Sequence, residues 1–126
     1  GANLDRIQVI KGWLDESGTA QERVYDVVWS GDRQIGKDGK LPSVGDTVDV
    51  ARATFTNTIG AAELTGVWKD PDFKPSQRAF YYTRVIEIPT PRWTAYDQVR
   101  FGVKMSDEVP MKQQERAWSS PIWYTP

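Results

Sequence analysis

The seven residues GDRQIGK, Gly31 to Lys37, reproduce the G-x-x-x-x-G-K spacing of a phosphate-binding loop. In such a loop backbone N–H groups cradle the phosphates, the lysine reaches the outer ones, and a following Ser or Thr holds magnesium at the start of a helix. Here the residue after the lysine is Asp38, and Gly39 and Pro42 stand where the helix should begin. The stretch 31–46 instead reads as a long Gly-rich loop with a small tight hairpin inside it, and it needs no helix.

Carboxylates are the next candidates. Asp70 and Asp72 in KDPDFKP alternate on a turn and supply hard oxygen donors of the kind calcium takes, but Lys69 and Lys74 compete with a cation there. A proline-rich turn whose Asp side chains accept backbone N–H bonds is the commoner use of this pattern. Glu87, Asp97, Glu108 and Glu115 fall on different segments, and nothing in their spacing brings two together as acid and base. Ser119 and Ser120 precede Pro121 without a partner to activate a hydroxyl.

The missing residues narrow the chemistry further. The chain has no His and no Cys, which removes disulfides, thiol nucleophiles, Cys/His zinc sites and imidazole proton transfer. Sixteen basic and seventeen acidic residues are interspersed, leaving a net charge of −1 and no footprint for nucleic acid or an anionic membrane. Apolar runs are far shorter than a transmembrane helix requires, and the opening GANLDRIQ lacks a signal-peptide pattern. The absence of cysteine is compatible with cytoplasm or periplasm. At 126 residues the length suits one domain. Gly1 and Ala2 read as a tag remnant before a single domain over 3–126, an excised piece of a longer protein.

Positioning elements follow from periodicity. LDRIQVIKGWLD (4–15) reads as a strand with Ile7, Val9 and Trp13 on one face and Ile10 and Leu14 on the other. QERVYDVVWSG (21–31) follows a Glu16-Ser17-Gly18 turn and sets Tyr25, Val27 and Trp29 on one face, completing a hairpin. TVDVARATF (47–55) and AELTGVW (62–68) read as further strands, and RAFYYTRVIEI (78–88) as the strongest. Residues 89–110 read as a long connection in which VRFGVK pairs locally. MKQQERA (111–117) has some helical character, but strand continuation into WSSPIWYT (118–125) is the better fit. The expected fold class is all-β, an immunoglobulin-like or related β-sandwich with long loops.

Six tryptophans are many for this size. Trp13, Trp29 and Trp68 alternate with apolar neighbours as core residues do, whereas Trp93, Trp118 and Trp123 sit among Pro, Arg and Ser and are expected to be part-exposed. Core packing or an interdomain contact is the leading use, and a carbohydrate-binding module stacking sugars on exposed Trp is the alternative.

Three stretches, TNTIGAAELTGVWKDPDF (56–73), PSQRAFYYTRVIEIPTPRWTAYD (75–97) and QERAWSSPIWYTP (114–126), carry a family resemblance. The chain resembles, from about Leu4 to Pro126, the C-terminal region of bacterial proteins of a domain-of-unknown-function family. Its full-length members carry a metal-dependent hydrolase core related to the PHP (polymerase and histidinol phosphatase) superfamily. The resemblance implies a divalent metal and a catalytic domain upstream, since such centres use His and acidic ligands and this chain has no His. It also implies that SSPIWY (119–124) is a closing strand beside that domain. Arg78, Arg84, Arg92, Trp93 and Tyr96 match the family string without a named role.

The isolated domain is therefore expected to be non-catalytic and to hold no cofactor. Its partner is expected to be the intramolecular catalytic domain, with a homo-oligomer as a further association, and neither nucleic acid nor membrane. Pro89 and Pro91 stiffen the loop 89–97 and present Arg92 and Trp93 at low entropic cost. Arg92, Trp93, Tyr96, Trp118 and Trp123 are the contact candidates, for burial against that domain or for placing Arg92 near an anionic substrate group.

Overall fold

The computed structural model describes residues 1–126. The elements are β1 (Leu4–Leu14), β2 (Ala20–Trp29), β3 (Ala79–Glu87), β4 (Thr90–Pro91), α1 (Trp93–Phe101), β5 (Lys112–Gln113), β6 (Arg116–Trp118) and β7 (Ile122–Tyr124). The protein is mostly β, and every strand pair is antiparallel. One five-stranded sheet runs β2-β1-β3, with β6 and β7 sharing the far edge of β3, and β4 and β5 form a two-stranded ribbon.

The β1–β2 hairpin closes through Asp15, whose Oδ1 accepts the backbone N–H groups of Ser17 and Thr19 and the Ser17 hydroxyl. The Ser17 hydroxyl, the Thr19 N–H and Gln21 hold the Asp15 carboxyl down at about 2. On the opposite edge, β6 ends and β7 begins around Ser119-Ser120-Pro121. Ser119 bridges that gap, donating its N–H to Thr83 O and accepting the Thr83 N–H on its hydroxyl. The expected strand continuation after 111 is thus present, broken into β5, β6 and β7.

A bulge alters one expected face. The pairing runs Ile7↔Val28 and then Gln8↔Asp26, so Val27 is an extra residue in β2. Because side chains alternate with period two, an inserted residue reverses the alternation. Tyr25 pairs with Val9 and Trp29 with Arg6, which places the two rings on opposite faces. The expectation of Tyr25, Val27 and Trp29 on one face is corrected accordingly.

The two strands expected at 47–55 and 62–68 do not form. Asp49 and Thr54 exchange backbone hydrogen bonds around a reversal at 50–53, where Ala53 sits at φ 51°. The Val48/Val50 alternation therefore lies in a tight turn. Segment 62–68 crosses a sheet face: Gly66 lies so close to Val28 that a Cβ there would be 2.5 Å from Val28 Cγ2. The 31–46 loop contains the anticipated tight turn, with Gly36 N–H donating to Lys40 O and Gly39 at φ 75°.

A third correction concerns 89–110, which contains α1 in place of a local VRFGVK strand pair. The residues α1 buries are Thr94 and Ala95, while Trp93, Tyr96, Val99 and Phe101 face solvent. No apolar stripe marks the buried side, so periodicity gives no helical signal. Gly102, at φ 63°, ends the helix in the left-handed region.

The core is small: Val9, Ile10, Ala79, Ile86, Ile88 and Ala95 are its main buried apolar residues. One face of the sheet, carrying Val9, Lys11, Tyr25 and Tyr81, is covered by the irregular segment between β2 and β3. The other, carrying Phe80, Tyr82, Trp118 and Trp123, has no element of the chain packed over it as a second sheet. Gly60, at φ 76°, seats the covering segment where Leu4 and Ala61 exchange backbone hydrogen bonds. A Cβ at Gly60 would lie 2.6 Å from Ile88 Cγ2 and 2.9 Å from Leu4 O. Gly60→Ala is expected to lower stability by about 3 kcal/mol in urea denaturation, combining left-handed strain with overpacking.

Candidate functional site

Asp70 and Asp72 meet under the covered face with Lys11, Arg23, Tyr25 and Tyr81. Lys11 Nζ donates to Asp70 Oδ2 at 2.6 Å and to the Asp72 carbonyl at 2.9 Å. Its side chain is 2% exposed, and that of Asp70 7%. The Tyr81 hydroxyl donates to Asp70 Oδ2 at 2.7 Å, and Asp72 N–H to Asp70 Oδ1 at 2.8 Å. Asp72 Oδ2 accepts from Arg23 Nη1 and the Tyr25 hydroxyl, each at 2.7 Å. Both carboxylates are thus engaged by the chain's own cations and phenols, so the calcium reading of this pair loses its physical basis. No group of three or more His, Cys, Asp or Glu is placed to hold a metal.

The electrostatics agree with a structural latch. Burial works against the Asp70 charge, but hydrogen bonds from Lys11, Tyr81 and Asp72 N–H outweigh it and hold the carboxyl below its ordinary range. Burial and the neighbouring carboxylates push both phenols, Tyr25 and Tyr81, above their ordinary values. Lys11 also lies over the rings of Trp13 and Tyr81, at 5.3 and 5.8 Å from their centroids. Trp68 packs on Tyr25 and Tyr81, and Phe73 on Tyr124, so aromatic contacts flank the ion pair on the same segment.

Arg92, Trp93 and Tyr96 come together at the start of α1. Arg92 is the N-cap residue and makes no side-chain cap, and the first turn carries no acid. A cation at this end opposes the helix dipole, so Arg92 does not serve helix stability. Tertiary bonds hold the helix instead: Thr94 Oγ1 donates to Pro110 O at 2.6 Å, and Arg92 N–H to Met111 O at 2.9 Å. Trp93 is 58% and Tyr96 48% exposed, with Val99 and Phe101 exposed further along.

Trp118 and Trp123 lie elsewhere, on the open face of the sheet. Trp118 pairs in register with Arg84, and Trp123 with Phe80. Both are more than half exposed; Trp13, Trp29 and Trp68, expected as core residues, are half-buried and outside the fully buried core. The five contact candidates therefore form two surfaces, one on α1 and one on the sheet. A polar chain crosses the open face: Arg84 donates to Gln8, Gln8 to Asp26, and Arg6 pairs with Asp26.

Sequence reasoning missed Lys11 and the buried Asp5. Lys11 was legible, because it falls in the alternation Ile7, Val9, Trp13 on an apolar face, where a lysine demands a buried counter-charge. Asp5 sits at the β1 bulge, 1% exposed. Its Oδ2 takes Arg6 and Gln114, and Arg33 pairs with its Oδ1 at 2.8 Å as an ion pair without aligned hydrogen-bond geometry. No local pattern marks it. Asp70→Asn is expected to cost about 3–5 kcal/mol by leaving the Lys11 ammonium buried without a counter-charge, and Lys11→Met with Asp70→Asn to recover most of that loss. Because the folded Asp70 carboxyl titrates below its ordinary 3.8, its contribution is full above that value and is lost as the pH falls through the folded one. Urea denaturation of wild type and variants between neutral and acid pH reads both effects.

The whole chain, residues 1–126, matches the family model described as "Protein of unknown function (DUF3604)", and the chain belongs to that family. No curated protein and no solved structure matches it.

Proposed function

We propose that this member of the family is a non-catalytic accessory domain that docks on a PHP-like metal-dependent hydrolase domain, the parent that the sequence resemblance implies. The observation that carries the reading is surface. The chain exposes 8674 Å², whereas a compact monomer of 14.3 kDa exposes about 6,800 Å². The excess, roughly 1,900 Å², is more than twice what one partner buries in a standard interface. Part of it is the aromatic side of α1, where Trp93, Tyr96 and Phe101 face solvent.

In this reading the α1 surface is the principal contact. Trp93 is the anchor, and Arg92 beside it offers a guanidinium either to the rim of the partner's active site or to a carboxylate on its surface. The divalent metal belongs to the partner, since this chain supplies no His and its buried carboxylates are already paired with cations.

The test compares two settings. Trp93→Ala is expected to leave the melting temperature of the 126-residue chain unchanged and to lower that of the full-length protein, with a loss of about 2 kcal/mol in domain coupling. Arg92→Ala in the full-length protein should lower kcat/KM, the melting temperature, or both. If both variants match wild type in activity and in thermal stability, α1 is not a docking surface.

A further inference from the structure

The open face of the sheet also carries a groove that the docking reading does not use. The outer end of the Phe80 ring lies over Gly12: a Cβ at that glycine would fall 2.3 Å from Phe80 Cζ, so any other residue would displace the ring. Trp123 flanks Phe80 at 5.2 Å between centroids, tilted by 49°, and is 71% exposed. Tyr82 continues the row, its ring within 9° of parallel to Phe80 at 6.4 Å. The groove beside Phe80 and Trp123 has a volume of about 500 Å³, and Gln21, Glu22 and Arg78 stand round it. Neither Glu22 nor Arg78 belongs to any ion pair of the chain.

These features select an occupant. An acyl chain or an apolar protein surface would strip water from a free carboxylate and a free guanidinium and give neither a partner. An anion would gain Arg78 and meet Glu22, and a cation would meet the reverse. A neutral ring with an apolar C–H face and hydroxyls round its edge satisfies all of them. Its face stacks on Trp123 with Phe80 against its edge, and its hydroxyls donate to Glu22 and accept from Arg78. We infer that this groove is a binding site for a neutral hexose or pentose unit of a glycan, with Trp123 as the stacking platform.

The site is independent of the docking surface. Phe80 lies at the start of β3 with Trp123 of β7 paired beside it, and the chain reaches β4 and α1 only beyond the end of β3, roughly 20 Å away at the rise of a strand. Failure of one proposal therefore leaves the other standing.

Titration of the chain with neutral hexasaccharides, namely β-1,4-linked glucose, xylose or N-acetylglucosamine and α-1,4-linked glucose, followed by tryptophan emission, tests it. A saturable change is expected with at least one of them. Trp123→Ala should weaken that binding about tenfold or more, and Glu22→Gln and Arg78→Met should each weaken it severalfold. Trp93→Ala should bind as wild type does. Circular dichroism confirms that each variant is folded. No saturable change with any of the four sugars overturns the proposal, as does unchanged affinity in Trp123→Ala. Unchanged affinity in both rim variants overturns it too, because the hydroxyl chemistry is then absent.

Discussion

A lysine ammonium in the middle of a sheet face is the constraint on which the rest of this structure turns. Lys11 sits in β1, an interior strand, in register with Arg23 of β2 and Tyr81 of β3, and its charge has to be met by an anion brought from elsewhere. Asp70 comes to it from 59 residues away in sequence, and with Asp70 come Trp68, Asp72 and Phe73. One ion pair thus fastens the irregular segment between β2 and β3 onto the sheet and closes one of its two faces. The cooperation is mutual: Tyr81, whose ring lies beside the Lys11 ammonium, donates its hydroxyl to Asp70, and Tyr25 donates to the neighbouring Asp72.

Closing that face consumes the chain's long connection and leaves the other open. Three long strands and four short ones cannot supply a second full sheet, so Phe80, Tyr82, Trp118 and Trp123 stand on an uncovered surface. α1 repeats the imbalance. Its buried side is Thr94 and Ala95, held by hydrogen bonds to the 110–111 segment, and its aromatic side is turned outward. In a self-sufficient domain an amphipathic helix is oriented the other way. Both features fit a molecule whose apolar surface is meant for something other than its own core.

How much of this was legible from the sequence depended on whether the causes were local. The hairpin of β1 and β2, the strength of β3 and the broken strands after 111 follow from alternation and turn chemistry, both properties of neighbouring residues. The exposure of Trp93, Trp118 and Trp123 also followed, because their polar and proline-rich surroundings are themselves local. By contrast, the Val27 bulge cannot be seen in β2 alone, since an extra residue exists only relative to the register of a partner strand. The helix was hidden for a related reason: its pattern points the apolar residues away from the chain. The Val48/Val50 alternation misled because a tight turn can also carry it.

The amino-acid sequence by itself determined that the chain is mostly β, that it lacks the imidazole and thiol ligands of common metal and nucleophile chemistry, and that it carries more aromatic surface than a small core needs. Those are properties of composition and of residues within a few positions of one another. Only the tertiary structure decided that Asp70 and Asp72 are the counter-charges of Lys11 and Arg23, and that the five contact candidates divide between α1 and the sheet. The same holds for Gly12 and Phe80, which meet across two strands beside the unpaired Glu22 and Arg78. The physical reason is one of range. Charge pairing and ring packing act over a few ångströms of space, and here they join residues tens of positions apart in the chain.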